Sequence, residues 1–226
     1  MPRLHILTNA ADKQITRPLY EQAFDDPKAF VDYYYAEKCR DNVMIVLRDA
    51  EGKVLSMLHL NPYTLSVCGK EVPSYYVVAV ATDAANRRKG YMAKVLAAAD
   101  DYMRKAHIPF CFLLPVDEAI YRDFGYETIC DFVTRDDKRA ALSYEDIKKG
   151  YDVYCVRDAL YLKRMEAEDD LAKEGDSEVL PENPVMMAHI VDRAACARLL
   201  SEPRDASEKA LLAKLKSLRC YFREEV

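Results

Sequence analysis

The sequence predicts an α+β protein, one sheet covered by helices on its faces. Three observations lead there. Two strand–turn–strand patterns follow each other in residues 43–83. An apolar helical pattern comes next, behind the basic turn "NRRKGYM". Strand and helix patterns then alternate to about residue 132. The chain has 226 residues, half of them apolar and 31% charged, which is ample material for a core. Its formal net charge of −5 sets up no positive field to recruit nucleic acid or an anionic membrane. Any anion site must therefore be local, and a cationic second substrate is weakly favoured.

Taken in order, "RLHILT" has the look of a short strand, and "DKQITRPLYEQAFDD" of a short helix broken near Pro18. In "DPKAFVDYYYAEKC", Asp26 is placed as an N-cap with Pro27 at the first helical position. Phe30, Val31, Tyr34 and Tyr35 then share one helical face. "VMIVLRDAEGKVLSMLHL" predicts a hairpin around Asp49–Gly52, because glycine permits the positive φ such turns use. "YTLSVCGKEVPSYYVVAVATD" repeats the pattern with Gly69, Lys70 and Glu71 as its turn. Beyond the basic turn, Met92, Val95, Leu96, Ala99, Tyr102 and Met103 form one apolar face of a helix of about four turns. "PFCFLLPV" predicts a buried strand, and "DEAIYRDFGYETICDF" a short helix ending at Gly125 before another strand.

The pattern changes from Val133 onward, which suggests two regions, 1–132 and 133–226, the second a small α/β extension. Here Tyr151–Arg157 predicts a strand leading into an amphipathic helix, "VMMAHIVD" a strand, and "ASEKALLAKLKSLRCYF" a helix. The acidic run from Glu166 to Glu182 is expected to be a solvated face running into a linker. Seven scattered cysteines without a CxxC pair indicate neither a metal site nor a disulfide framework. The N-terminal apolar run is too short for a signal peptide, and no segment approaches the roughly 20 apolar residues of a membrane span. A cytoplasmic protein is the expectation.

The basic turn carries the chemistry. A helix N-terminus offers unpaired N–H groups and a partial positive charge, and a glycine lets an anion approach the backbone. Arg87, Arg88 and Lys89 just before Gly90 would add charge-assisted contacts to a phosphate. Taken alone the turn is a weak signal and reads more readily as a solvated basic corner.

"VAVATDAANRRKGYMAKVL" resembles the acyl-CoA pyrophosphate-binding segment of the GNAT acetyltransferase superfamily, (Gln/Arg)-x-x-Gly-x-(Gly/Ala). Arg87, Gly90 and Met92 occupy its three places, Met92 departing from the usual small residue. "AIYRDFGYE" is similar to the superfamily's Tyr-x-x-(Phe/Leu)-Gly-(Phe/Tyr) segment, with Tyr121, Phe124, Gly125 and Tyr126 in place. "YDVYCVRDALYLKRM", "PVMMAHIVD" and "CYFREEV" resemble segments of the Eis-like (enhanced intracellular survival) acetyltransferases. That likeness covers essentially all of 1–132 and patches of 133–226. The stretch after "VMMAHIVD" is too short for the sterol-carrier-like sheet of those proteins.

The resemblance implies a GNAT fold, a mixed and mostly antiparallel sheet flanked by helices. It implies acetyl-CoA as co-substrate, no metal, and transfer to a primary amine of a small molecule or peptide. The alternative is a non-catalytic acyl-CoA-binding regulator, and a plain interaction module is a third class. Cofactor-binding residues carried over are Val78, Ala79, Val80, Arg87, Arg88, Lys89, Gly90, Tyr91 and Met92. Tyr121 is implied as the general acid that protonates the leaving sulfur. The α-carboxylate of Val226 is implied as the base, with Glu225 lining the site. Tyr33, Tyr34 and Tyr35 are candidates for an acceptor pocket or for core. His5, His59, His107 and His189 stand outside every motif and are expected on the surface or as satisfied core residues. No nucleic acid or membrane partner is implied, and a homo-oligomer stays open.

Overall fold

The computed structural model describes residues 1–175 and 180–223. The chain starts with strand β1 (Arg3–Leu7), then helices α1 (Ala10–Lys13), α2 (Arg17–Ala23) and α3 (Lys28–Glu37). Pro18 opens α2, where a missing N–H costs nothing. Asp26 does not cap α3: the N-cap is Pro27, and the Asp26 carboxylate instead accepts from the Tyr20 hydroxyl at 2.7 Å. Phe30, Val31, Tyr34 and Tyr35 do share the buried face.

Strands β2 (Val43–Arg48), β3 (Val54–Val67) and β4 (Lys70–Thr82) form a meander, with the single long β3 serving both expected hairpins. The second turn is one residue earlier than the glycine suggested. Val67 pairs with Lys70, so Cys68 and Gly69 (φ 49° and 76°) make the two-residue loop, a type I′ geometry matched to strand twist. Helix α4 (Tyr91–Lys105) buries Val95, Leu96, Ala99 and Met103 as its spacing predicts, with Met92 and Tyr102 partly buried beside them. Strand β5 (Phe110–Leu113), helix α5 (Ala119–Arg122) and strand β6 (Glu127–Asp131) follow.

Later come α6 (Tyr144–Gly150), β7 (Val153–Cys155), α7 (Ala159–Glu174), β8 (Val185–Ile190), α8 (Arg193–Leu200), α9 (Glu208–Lys216) and β9 (Cys220–Tyr221). The strand order is β1-β2-β3-β4-β5-β8-β6, with β7 on β3 and β9 on β7. Pairing is antiparallel throughout except at β4–β5 and β7–β9, so the α+β expectation holds. Residues on either side of 132 share this sheet, because β8 lies between β5 and β6.

Alternation along β2 sends its side chains to two layers. Met44 and Val46 pack under α2 and α3 with Leu19, Tyr20 and Tyr34, while Val43, Ile45 and Leu47 join the α4 side with Val95 and Met103. One of the acidic residues expected to be solvated is buried, and a second, Asp169, is half-buried in ion pairs. Glu168 is 9% exposed and pairs with the buried Lys38 at 2.9 Å, and Asp169 pairs with Arg135 and Arg223. Among the described residues, no helix is long and apolar enough to cross a membrane.

Candidate active site

On β4 the ladder to β3 slips. Met57 pairs with Ala81 and His59 with Val78, so two steps on β3 face three on β4. That extra residue is a β-bulge, and Ala79 within it holds φ +53°, a left-handed conformation unusual for a residue with a Cβ. Val78, Ala79 and Val80 are therefore not plain core strand. The bulge breaks the regular ladder and turns part of the backbone away from β3.

The other edge of β4 is open at the same level. β4 meets β5 in parallel at Tyr76 and Phe112. β5 ends at Leu113 while β4 runs on to Thr82, so residues 77–82 have no strand partner on that side among the described residues. An extended ligand chain can add here as a strand would, using backbone N–H and C=O groups.

The open edge leads into the basic turn. Asp83 is buried and tied to Lys53 at 2.6 Å and to Asn86 at 2.8 Å, and the Lys53 ammonium holds its carboxyl below the usual range. Arg87 reaches back to the Thr82 carbonyl at 3.4 Å, and Lys89 to the Asn86 side chain at 2.8 Å. Arg88 (φ 61°) and Gly90 (φ 72°) both take left-handed backbone, and all four residues from Arg87 to Gly90 are exposed. Gly90 is the N-cap of α4, without a side-chain cap and without an acid in the first turn. A Cβ at Gly90 would meet no described atom within 4 Å, so the space beside Gly90 itself is open. Tyr91 and Met92 are half-buried at this entrance, the Lys94 ammonium lying 5.5 Å from the Tyr91 ring. The residues present fit a diphosphate on a pantetheine-like arm: donors, cations and an open edge lie in that order.

Tyr121 stands on α5 against Tyr126, with ring centroids 5.7 Å apart. It is 8% exposed, and burial pushes its hydroxyl up to about 12. It makes no side-chain hydrogen bond to any described residue. Val226 and Glu225 lie outside the described residues.

A cavity of about 290 Å³ opens on the far edge of β3. β2 pairs with β3 as far as Leu60 and β7 takes over from Leu65, with the Val156 amide donating to the Thr64 carbonyl at 2.8 Å, which leaves the β3 edge at residues 61–63 without a strand partner among the described residues. Pro62, which has no N–H to leave unpaired, sits in that gap. α7 roofs it with Tyr161, Arg164 and Glu168; Lys38 and Asp41 close one side, and Arg223 stands at the rim. Of the tyrosine run, Tyr34 and Tyr35 are core, whereas Tyr33 donates to Glu168 Oε1 at 2.9 Å behind this cavity. Lys38 and Tyr63 have no reading as site residues in the sequence, and Glu168 has the wrong one, a solvated face. Glu168 does continue Tyr161 and Met165 at i, i+4 and i+7, a buried-face spacing that its charge disguised.

The histidines stay outside the basic turn, and His59 borders the bulge through its pair with Val78. His59 is buried with Nδ1 against the Tyr34 hydroxyl at 2.8 Å, His107 meets Asp192 at 2.9 Å, and His189 lies 3.3 Å from both Asp100 and the Gly125 carbonyl.

Residues 7–129, more than half of the chain, match the family profile described as acetyltransferase (GNAT) domain. Eis1 from Mycobacterium abscessus is similar at 16% identity and a TM-score of 0.55, over 75% of this chain and 48% of that one. A protein of Enterococcus faecalis V583, named a probable N-acyltransferase, is similar at 17% identity and a TM-score of 0.54, over 58% of this chain. The present chain spans 33% of its length. A GCN5-related N-acetyltransferase from Kribbella flavida is similar at 11% identity and a TM-score of 0.52, over 86% of this chain and 73% of that one. At these identities the likeness is one of fold. No curated protein matches the chain.

Proposed function

The chain belongs to the acetyltransferase (GNAT) family of acyl-CoA N-acyltransferases, and on that premise we propose that it moves an acetyl group from acetyl-CoA to a primary amine of a small molecule or peptide. The observation that carries the proposal is the continuity of the bulge at Ala79, the open β4 edge and the uncapped α4 N-terminus behind Arg87 and Arg88.

Bound acetyl-CoA supplies the activated thioester carbonyl. In this reading the freed amides around Val78, Ala79 and Val80 polarise that carbonyl and hold the pantetheine arm. The first-turn amides from Tyr91 and Met92, together with Arg87, Arg88 and Lys89, hold the diphosphate. The acceptor nitrogen attacks as the neutral amine, so a carbon–nitrogen bond forms while the carbon–sulfur bond breaks. Tyr121 gives its hydroxyl proton to the leaving sulfur and recovers one from the nitrogen. Its phenol is pushed up to about 12, and the same low-dielectric surroundings raise the thiol beside it, so the transfer stays usable. The β3-edge cavity receives the acceptor. Kinship with the Eis-like branch is part of this proposal and rests on the segments that form β7–α7, β8 and β9. A cytoplasmic location is part of it too, supported by seven free cysteines, Cys68 among them exposed.

Calorimetric titration with acetyl-CoA at two salt concentrations tests the reading. Micromolar binding is expected, weakened at high salt and at least tenfold in the double variant Arg87→Ala/Arg88→Ala. Tyr121→Phe is expected to bind acetyl-CoA normally and lose about 100-fold in amine-dependent thiol release. No binding at millimolar ligand would overturn the proposal. Binding without thiol release across an amine panel would leave only a cofactor-binding protein.

A further inference from the structure

We propose that the β3-edge cavity selects an acceptor bearing a second positive charge, a small elongated diamine or an amine with a distal cation, held through Glu168. The inference rests on the acetyl-transfer reading above and names the substrate class of that site.

Most of the charges in the cavity are already paired. Its three cations each face a carboxylate: Lys38 meets Glu168 at 2.9 Å, Arg164 meets Asp41 at 2.7 Å, and Arg223 meets Asp169 at 3.2 Å. None is left over for an anionic ligand by this pairing. The acids are not all spent. Asp41 uses both oxygens on Arg164. Asp158 accepts through Oδ1 from the Tyr161 amide, and its Oδ2 accepts from no described residue. Glu168 takes the Lys38 ammonium and the Tyr33 hydroxyl both on Oε1, and its Oε2 accepts from no described residue. Glu168 is about nine-tenths buried and lines the cavity. A carboxylate oxygen that opens into a cavity with a lone pair unspent takes a donor, and a cationic donor most readily.

The reacting amine is not that donor. A carboxylate contact stabilises the ammonium form and so suppresses the neutral nucleophile that acyl transfer needs. Glu168 therefore serves a different nitrogen of the same acceptor. The spacing agrees. The cavity reaches β4 at Pro73, Ser74 and Tyr75. Tyr75 lies three residues before Val78, about 10 Å along an extended strand. An acceptor anchored under α7 must be elongated to bring an amine to the bulge. Tyr63, Tyr75 and Tyr161 give its stem an apolar wall. A volume of about 290 Å³ is at the small end for ligand sites, which favours a short chain over a bulky polycation.

The test compares octane-1,8-diamine and butane-1,4-diamine with octylamine and butylamine as acceptors, following thiol release and confirming acetyl-CoA binding for every protein used. Wild type is expected to favour at least one diamine over its matched monoamine by tenfold or more in kcat/KM. In Glu168→Gln that ratio is expected to collapse toward one, through a rise in KM for the diamine with kcat largely kept. If losing the Lys38 partner prevents folding, Asp158→Asn decides instead. It keeps the N-cap of α7, removes the second unspent carboxylate, and is expected to lower the diamine preference several-fold. Acetyl-CoA binding and turnover with equal use of both amine classes would overturn this inference while leaving the acetyl-transfer reading intact. A preference unmoved by either substitution would overturn it too. Absence of acetyl-CoA binding would instead remove the reading beneath it.

Discussion

Ala79 holds a left-handed φ of +53° in the middle of a strand, where an L-residue is disfavoured by about 1–2 kcal/mol. The surrounding ladder enforces this geometry, and the bulge at the open β4 edge is what the strain maintains. His59, which pairs with Val78 beside that bulge, is the other unusual residue here. It is wholly buried, stacks on Tyr34 at 5.8 Å, and its Nε2 has no partner among the described residues. Burial, with a smaller contribution from Lys13, pushes its pKa down to about 3 from 6.5. As pH falls below about 6.5 the unfolded chain binds a proton that folded His59 refuses. Stability present above 6.5 is therefore lost progressively toward pH 3, by up to about 1.4 kcal/mol per pH unit. Urea unfolding at pH 7.5, 6.5 and 5.5 should show the midpoint falling, with His59→Gln flattening that slope. An unchanged midpoint in the wild type would contradict a buried neutral imidazole.

Between strands, the β3–β4 turn shows how an element is specified locally. Cys68 occupies the first loop position of a type I′ turn at φ 49°, where asparagine is the favoured partner of a following glycine. Its side chain is exposed, and its amide donates to Asp152 at 2.7 Å, a bond that asparagine retains. Cys68→Asn should therefore stabilise the protein by about 0.5 kcal/mol. In a chain of this size that is roughly 1–2 °C in Tm, readable by calorimetry. A loss of stability would mean that the thiol packs or pairs in a way this turn geometry does not require. Helix α7 is the contrasting element. Lys38 and Glu168, with Tyr33, clamp it to α3, so its position depends on polar contacts as much as on apolar ones.

At the scale of the molecule, the sheet is closed by a strand from late in the chain. β8 pairs with all of β5, from Phe110–Ile190 to Leu113–Met187, and with β6 on its other side. A fragment of residues 1–132 would present the Phe110–Leu113 edge uncovered, an invitation to pair with other chains. Expressed alone, it should aggregate or elute as large species in size-exclusion chromatography. A soluble monomer with a cooperative melt would show instead that 1–132 is self-sufficient. This long-range pairing is also what the sequence could not reveal. The turn at Asp49–Gly52, the apolar face of α4 and the basic turn are local patterns, and each was legible residue by residue. Strand order depends on partners far apart in the chain, as Cys111 and His189 are, and no local pattern records it. Ala79 carries no mark of its backbone angle, because alanine is at home in any ordinary strand. Glu168 read as solvent-facing because its burial depends on Lys38, 130 positions away.

The uncovered stretch of β3 has a consequence for how such a protein can diversify. The β3–β4 ribbon presents its bulge on one margin and its cavity on the other, and the size of the cavity is set by where β2 and β7 stop. Lengthening or trimming either neighbour by a residue changes what the cavity admits without touching the amides around Ala79 or the cations at 87–89. On the proposed reading, selectivity and chemistry are thus separately adjustable parts of one pair of strands.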